Sequence, residues 1–591
     1  MGGLAPHFFW IQIMKTTLSI SEITKIGNKL KTLSQKNNYK ATIEEIKKNI
    51  KKHPHWADGY SLLGDIYTSI AHYEESYSAY SKALELDPDN LQWKLSLLLS
   101  QLEMGRDVEL ALNELLHLFI KNSEDEDICI KIASIMVSGK HPKITIAAIK
   151  WRAQNHKNGD VLSSILANQL LEAGLISEGC EIYLNLFRSS PHGVLYAPQL
   201  GVALIRIGAF QTCADIVESL RKNSPETAAL MLNEYGIALA GLNRSREAQV
   251  ALREYLDSHP ESQAAKFNLG QALLKGGEYE EGWKLIEFSP PEFKIQGVNN
   301  PWKGDFSING KTLLLYGEQG FGDMLQFLRY IPYVEKLGAN IALSVPENLK
   351  RLCQASFPDI KIIETDLKKI EYDYSCSLLS LPLSLSSQIG YEIPSSVPYL
   401  YPNQNDIEKF SKIFGKTNNL RVGLVWSGEN RPRHGLNYKN RSASLKMFSK
   451  IIDIENIDFV SLQLGNPKKE LLQWNGKNIF DPMNTVSDME DTAALIFNLD
   501  LIISVDTSVA HLAGALGKPV WMITRSDCCW RWLEGREDTP WYPTMRIFRS
   551  QPGSLHHAIE LVAASLPDFV TTWQQNSLLK GMSHELRHQA L

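Results

Sequence analysis

The strongest constraint on this chain is a repeat in its first half. Apolar helical runs end at Asn37, Ala71, Gly105, Gly139, Gly174, Gly208, Asn243 and Gly277, at spacings of 34 or 35 residues. Most of these residues tolerate the left-handed backbone that a tight turn between helices needs. Seventeen residues after five of them stands a proline: Pro54, Pro88, Pro191, Pro225 and Pro260. Proline suits the break between one helical pair and the next. Within Gly59–Pro88, Tyr60, Leu63, Tyr67, Tyr80 and Ala83 fall at helical packing spacing, and Gly64 is small where two helices must meet. A unit of two helices cannot bury its apolar faces alone, so such units stack into a solenoid. The period predicts about eight helix pairs over residues 21–288, after an extension over 1–20. The pattern is clearest near Tyr60 and over 267–282, and weakest over 91–156.

After Phe288 the pattern changes. Ser289–Lys311 is rich in Pro, Gly and Asn and reads as a linker. Short β-rich runs then alternate with helical stretches. The expected strands are Thr312–Tyr316, Asn340–Val345, Lys361–Glu364, Asp373–Ser377, Arg421–Trp426, Asp458–Leu462, Asn478–Phe480, Leu499–Val505 and Pro519–Ile523. Alternation of this kind predicts parallel sheets covered by helices. The Pro- and Ser-rich break over 378–405 divides them into a first lobe, 312–405, and a second, 406–575, with a cleft between. HHAIELVAASL is expected to form a helix that crosses back to the first lobe. The tail, 576–591, is expected to fray at HELRHQAL.

Bulk properties narrow the function classes. A length of 591 residues exceeds one core. The net charge of −5 gives no support to a nucleic-acid partner. The seven cysteines form no paired CxxC motifs, so neither a zinc site nor a disulfide framework is indicated, and a cytoplasmic location fits. HFFWIQIM near the start is too short to span a bilayer, and no other run is apolar for about 18 residues, so no membrane insertion is expected. Met14 is an alternative start. The acidic run Ser123–Ile128 reads as a solvated loop, because sequential carboxylates do not converge on a metal.

Three stretches carry chemistry. In GEQGFGD, glycines at 317, 320 and 322 follow a strand and Asp323 falls at the mouth of the next helix. The glycine order is not that of a dinucleotide site. Asp323 reads either as a helix cap or as a general base facing the cleft. In ISVDTSVAHLAGALGKPV, Asp506 ends a strand, where it could bind ribose hydroxyls. Thr507 and Ser508 open a helix whose free N–H groups and dipole suit an anion. His511 is either packed on the sheet or a phosphate contact. Between them VGLVWSGENRPRHGLNYKNRS ends a strand in a basic loop, from which Lys439 or Arg441 could hold phosphate. DMED, Asp488–Asp491, reads as a polar helix start. WRWLEGREDTPWYP, Trp530–Pro543, is either packing for the second lobe or a recognition rim.

The repeats resemble the tetratricopeptide repeat. LLLYGEQGFGDMLQFLRYIP, VGLVWSGE…KNRS and ISVDTSVAHLAGALGKPVW…DCCWRWLEGREDTPWYP resemble bacterial glycosyltransferases that join such repeats to a region similar to family 9 heptosyltransferases. Their architecture is similar to that of eukaryotic O-GlcNAc transferases. The resemblance implies a GT-B fold, two Rossmann-like lobes around a central cleft. It implies Asp323 as base, with Gly320 and Gly322 of the same turn against the donor phosphate. Asp506, Thr507 and Ser508, with His511 nearby, would meet donor phosphate and ribose. Lys439 and Arg441 would balance phosphate charge. A nucleotide-sugar would be the co-substrate, with no metal or other cofactor. Members of this layout include flagellin O-glycosyltransferases, which add a nonulosonic acid sugar to Ser or Thr. The implied partner is therefore a protein acceptor held by the repeats. Two rivals remain: a binding adaptor with an inactive transferase domain, and a transferase acting on a lipid-linked glycan.

Overall fold

The computed structural model describes residues 39–291, 294–295, 297–318, 320–363, 371–428 and 441–589, with the backbone alone beyond 576. Asn37, the N-terminal extension and the leading helix of the first expected pair lie outside them. The chain divides into two compact units, one ending at Tyr196 and the other beginning at Ala197.

Among the described residues the first unit is helical. Its elements are α1 (Tyr39–Lys52), α2 (Ala57–Ser69), α3 (Tyr73–Leu86), α4 (Leu91–Glu103), α5 (Val108–Lys121), α6 (Glu126–Ser138), α7 (Pro142–Asn155), α8 (Asp160–Glu172) and α9 (Ile176–Ser189). The expected turn residues do take positive φ at Ala71, Gly105 and Gly174. The third turn is displaced by one residue: Lys140 (φ 61°) carries the left-handed step, and Gly139 is the helix cap before it. At Gly64 an added Cβ would lie 2.8 Å from the Tyr80 ring, so only glycine lets α2 and α3 meet there. The weakly patterned middle still forms one core around Leu115, Phe119, Ile132, Met136 and Ile149. In the acidic run, Asp125 caps α6 by accepting from the Ile128 N–H, and Glu126 accepts from the Gly159 N–H at 2.6 Å.

The second unit begins with the remaining repeats: α10 (Ala197–Ile207), α11 (Phe210–Asn223), α12 (Pro225–Leu230), α13 (Leu232–Gly241), α14 (Ser245–Ser258), α15 (Gln263–Gly276) and α16 (Tyr279–Ile286). Gly208, Asn243 and Gly277 supply their left-handed turns. The expected linker is partly built into the fold. Trp302 and Ile308 are buried, and the Trp302 N–H donates to the Ser375 carbonyl at 2.7 Å.

Two parallel sheets follow. In chain order the elements are β1 (Thr312–Tyr316), α17 (Phe321–Phe327), α18 (Ile331–Glu335), β2 (Asn340–Ser344), α19 (Glu347–Ser356), β3 (Lys361–Ile363), β4 (Tyr374–Ser377), α20 (Gln404–Ser411), β5 (Leu420–Val425), β6 (Ile457–Ser461), β7 (Ile479–Phe480), α21 (Met489–Phe497), β8 (Leu501–Val505), α22 (Ser508–Ala515), β9 (Val520–Thr524), β10 (Met545–Arg549) and α23 (His556–Gln589). The first sheet has the order β3-β2-β1-β4 and the second β10-β9-β8-β5-β6-β7. All pairings are parallel. Strands β8 and β9 are buried at every position, as helices on both faces require. Strand β10 was not anticipated. The expected crossing helix is corrected: α23 packs Ala558, Ile559, Val562 and Leu566, with Leu555 just before it, on the second sheet, with Leu420, Val422, Leu501 and Ile503. It continues through the residues expected to fray, as far as Gln589. Among the described residues no helix is long and apolar enough to cross a membrane.

Each sheet reverses its strand order once. In the first the reversal lies between β1 and β4, and in the second between β5 and β8. Connections leave such a point in opposite directions and open a crevice at the carboxyl ends of the strands. One apolar core joins both lobes and the last repeat, from Phe267 and Trp283 through Phe327 and Leu343 to Trp530, Trp541 and Tyr542. Trp283 sits at its centre, with edge-on contacts to Trp530, Trp541 and Phe327 at 5.6 to 6.3 Å between ring centroids. Its N–H donates to the Tyr391 carbonyl at 3.1 Å. Trp283→Ala should lower the stability of the second unit by about 3–5 kcal/mol, read as a shift of its urea midpoint by circular dichroism.

Candidate functional site

The crevice of the second lobe is built by β5 and β8. Strand β8 is buried and ends at Val505, Asp506 follows it directly, and α22 starts two residues after Asp506. Thr507, extended at φ −141°, is its N-cap, but no side chain caps the helix. The Thr507 hydroxyl lies 3.0 Å from Ser504 Oγ. The first-turn N–H groups of Ser508 and Val509 therefore remain as donors at the positive end of the helix. Across from them, the loop after β5 is pinned by Gln463, whose Oε1 accepts from the Trp426 and Ser427 N–H groups at 3.1 and 2.9 Å. The Gly428 N–H donates to Ser442 Oγ at 3.1 Å. A Cβ at Gly428 would lie 3.1 Å from Arg441 Nε, so the loop brings Arg441 against this backbone. Lys439 lies outside the described residues.

Asp506 stands amid positive charge. Burial pushes its carboxyl up, opposed by the Trp532 indole and by the guanidinium groups of Arg441, Arg525 and Arg531. Three arginines thus converge near the strand end and helix start where the sequence pointed to an anion. Arg525 also pairs with Asp527 at 3.2 Å. Among the described residues no group of His, Cys, Asp or Glu side chains could hold a metal ion.

In the first lobe, α17 starts with Gly320 in an extended cap conformation. Asp323 Oδ2 accepts from the Gly320 N–H at 3.0 Å, the capping role expected of it. Its Oδ1 pairs with Arg531 Nη2 of the second lobe at 2.5 Å, so the carboxylate also faces the cleft. Both readings of Asp323 have a geometric counterpart. Arg531 is nearly buried, donates from Nε to Gln326 Oε1 at 3.0 Å and lies 4.3 Å over the Trp530 ring. Gly322 lets the two helix starts meet: a Cβ there would lie 2.8 Å from His511 Cδ2.

His511 is packed rather than presented. Its Nδ1 lies 2.9 Å from the Tyr542 hydroxyl, and its ring is 5.0 Å from that of Trp532. Burial, then the charges of Arg531 and Arg329, push its pKa down to about 3. It is a neutral imidazole, which corrects the expectation of a phosphate contact. DMED is the helix start expected. Asp488 accepts from the Asp491 N–H at 3.0 Å, and both carboxylates pair with Arg351 of the first lobe.

Sequence reasoning missed Arg531, Arg525 and Glu318 as site residues. Arg531 lay within a stretch read as packing or rim, and its contacts with Asp323, Gln326 and Trp530 are those of packing between the lobes. Glu318 lies between two glycines of GEQGFGD. It lines a small cavity with Gly317, Asp323, Met324, Phe327, Leu378 and Leu379, at the strand reversal of the first sheet. The loop that carries Arg531 is held by the repeats. The Asn243 side-chain amide donates to the Ser526 carbonyl at 2.9 Å, and Ser245 Oγ donates to Glu534 at 2.6 Å.

Residues 235–282 match the tetratricopeptide repeat, and residues 485–524 match glycosyltransferase family 9 (heptosyltransferase). The chain therefore joins tetratricopeptide repeats to a family 9 glycosyltransferase domain. It is 28% identical over 451 residues to Protein FlbA of Caulobacter vibrioides, covering 69% of this chain and 72% of that protein. It is 24% identical over 254 residues to a peroxisomal targeting signal receptor of Candida albicans, covering 42% of this chain and 38% of that one. Among solved structures it is similar to a family 9 glycosyl transferase from Veillonella parvula (11% identity, TM-score 0.34, 45% of this chain and 99% of that chain). It is likewise similar to the ADP-heptose LPS heptosyltransferase II of E. coli (14% identity, TM-score 0.30, 44% and 99%).

The His511 environment has a consequence for stability. Its folded pKa of about 3 lies below the ordinary 6.5. Between those values the unfolded chain binds the extra proton, so this contribution is complete above about pH 6.5 and is lost as the pH falls toward 3. His511→Gln should flatten the acid side of the stability profile by up to about 1.4 kcal/mol per pH unit, read from urea midpoints measured across that window.

Proposed function

We propose that this chain transfers a sugar from a nucleotide-sugar to a Ser or Thr hydroxyl of a protein acceptor held by its repeats, flagellin being the first acceptor to test. The observation that carries the reading is the meeting of two strand-order reversals. A carboxylate-bearing turn from the first lobe faces an arginine-rich helix start in the second. An acceptor hydroxyl entering from the first lobe attacks the anomeric carbon. The bond from that carbon to the donor phosphate breaks, and its electron pair leaves with the phosphate. A carboxylate of the Gly317–Asp323 turn takes the hydroxyl proton, Asp323 being the one the resemblance points to. The N–H groups of Ser508 and Val509, with Arg441 and Arg525, receive the charge that develops on the phosphate, and Lys439 belongs to the same basic loop. In this reading Asp506 binds the ribose hydroxyls. This use of fixed dipoles and guanidinium groups supports transfer without a divalent ion.

The repeats support a protein acceptor, because stacked helix pairs offer extended concave faces. The last repeat is packed against the loop 525–542, so an acceptor lying along it would be delivered beside Arg531. The sugar of the flagellin case is a nonulosonic acid, and a CMP-linked donor accordingly belongs in the first screen.

The test is a thermal-shift screen against UDP-, GDP-, ADP- and CMP-linked sugars. One nucleotide class should stabilise the chain, by about 2.7 kcal/mol at a hundredfold excess over Kd. Arg441→Ala should weaken that effect. Intact-mass measurement of the acceptor polypeptide should then show addition of one sugar. No stabilisation by any donor would leave the chain a binding adaptor, and transfer only to a lipid-linked glycan would move the acceptor to another class.

A further inference from the structure

Three consecutive side chains of the loop between β9 and β10 go to three parts of the second unit. The Trp530 ring lies edge-on to Trp283 of the last repeat, 5.6 Å between centroids. Arg531 reaches the first lobe, where it pairs with Asp323 and donates to Gln326. Trp532 turns into its own lobe and is fully buried, with its ring 5.0 Å from that of His511 and its indole beside Asp506. The directions of all three depend on the turn that carries them.

Leu533 ends that turn. Its φ of 52° and ψ of −170° form a combination that glycine adopts readily and other residues rarely. Such a residue persists only where its surroundings over-determine it. Here they act from two sides. From the second lobe, Arg549 donates to the Trp532 carbonyl at 2.5 Å and to Cys528 Sγ at 2.8 Å, and the Leu533 N–H closes on the Trp530 carbonyl at 3.2 Å. From the repeats, the left-handed turn between α15 and α16 receives the buried Leu533 side chain: a Cβ added at Gly277 would stand 3.6 Å from Leu533 Cδ2. Next to it, Glu534 accepts from the N–H and the Oγ of Ser245 at 3.3 and 2.6 Å.

We infer that Leu533 is a positioning residue of the transfer: the last repeats hold it in a backbone conformation that leucine disfavours, and this sets Arg531 against Asp323 and Trp532 against Asp506. The inference rests on the function proposed above. It gives the repeats a second task besides holding an acceptor, that of shaping the donor side of the cleft. A chain whose turn is free spends part of its time with these side chains turned away. Donor then binds only the fraction that is correctly set, and its apparent Kd rises by the inverse of that fraction. Glycine would suit the backbone at 533 better than leucine does, so leucine there serves the hold on the site at the expense of the turn itself.

The experiment uses the full chain and has two parts. Urea midpoints are read by circular dichroism for Leu533→Ala and Leu533→Gly, which remove nearly the same packing. Alanine is ordinarily the more stable of such a pair. Here Leu533→Gly should be the more stable, because only glycine relieves the backbone. The Kd of the nucleotide-sugar giving the largest shift in the donor screen is then measured by calorimetry on the folded variants. Leu533→Gly should raise it about tenfold. Ser245→Ala should raise it less, and the two together about as much as Leu533→Gly alone, because both act through one turn. Should neither variant at 533 fold, Ser245→Ala decides the matter. A higher midpoint for Leu533→Ala, a Kd unchanged in folded Leu533→Gly or in Ser245→Ala, or additive increases in the double variant overturns the assignment. A purely structural role for Leu533 would lower the midpoints and leave the Kd of the folded chain where it was. Normal donor binding by the variants refutes Leu533 alone, whereas absence of donor binding by the unchanged chain refutes the transferase reading itself.

Discussion

The ion pair between Asp323 and Arg531 is the contact on which the rest of the second unit depends. It joins the first turn of one α/β lobe to a loop of the other, with Arg531 nearly buried and Asp323 27% exposed. A pair placed there gains Coulomb energy but loses hydration at both ions, so it persists only with further partners. Gln326, the Trp530 ring and the Gly320 N–H supply them. Removing Asp323 leaves the nearly buried Arg531 guanidinium without its carboxylate, and that is the costlier of the two losses. The pair therefore sets the closure of the lobes and the distance between the carboxylate turn and the anion-ready helix.

Two other arginines act with it at the lobe boundary, each by a different means. Arg329 is buried and donates to the carbonyls of Pro394 and Trp541 and to the Tyr399 hydroxyl, with its plane over the rings of Tyr399, Trp541 and Tyr542. It is satisfied without a carboxylate, as a delocalised and weakly hydrated cation can be. Arg351 is more exposed and gathers Asp406, Asp488 and Asp491. Exposure weakens each of those pairs, but a cluster around one fork keeps its geometry better than separate surface pairs do. The lobes are thus clasped at the cleft, in the core and at the rim.

Most of the fold was legible because its signals are local. Most of strands β1 to β9 are apolar runs between turns, though β4 is YSCS, and the observed limits fall within two residues of the expected ones. The helical repeat was legible because a left-handed turn needs particular residues at a fixed period. Lys140 departs from the pattern where the spacing itself slips from 34 to 35. Strand β10 was hidden because MRIFR places two arginines in five residues. Arg546 pairs with Glu537 and lies over Phe548, which is how an edge strand tolerates charge. His511 was ambiguous in sequence because its burial depends on Tyr542 and Trp532, far along the chain. Glu318 had no local signal at all. Its bond to Ser377 forms when β4 pairs with β1, a non-local event that no window of sequence contains.

The placement of the last repeats explains why the two halves of the chain belong together. The turn residue Asn243, required by the repeat for its left-handed backbone, also spends its side-chain amide on the Ser526 carbonyl. Ser245, at the start of α14, holds Glu534 of the same loop. Lys275 is buried beneath that loop, where burial pushes its ammonium down while Glu534 and Asp527 oppose the shift. Residues that a free-standing solenoid would leave to solvent thus position the segment between β9 and β10. That segment carries Arg531, and Arg531 carries Asp323. Each link from the terminal helix pair to the cleft is a packed ring or a paired polar group rather than a flexible tether. The repeats are in this sense part of the wall of the site, and a transferase domain cut away from them would lose the support of its own arginine.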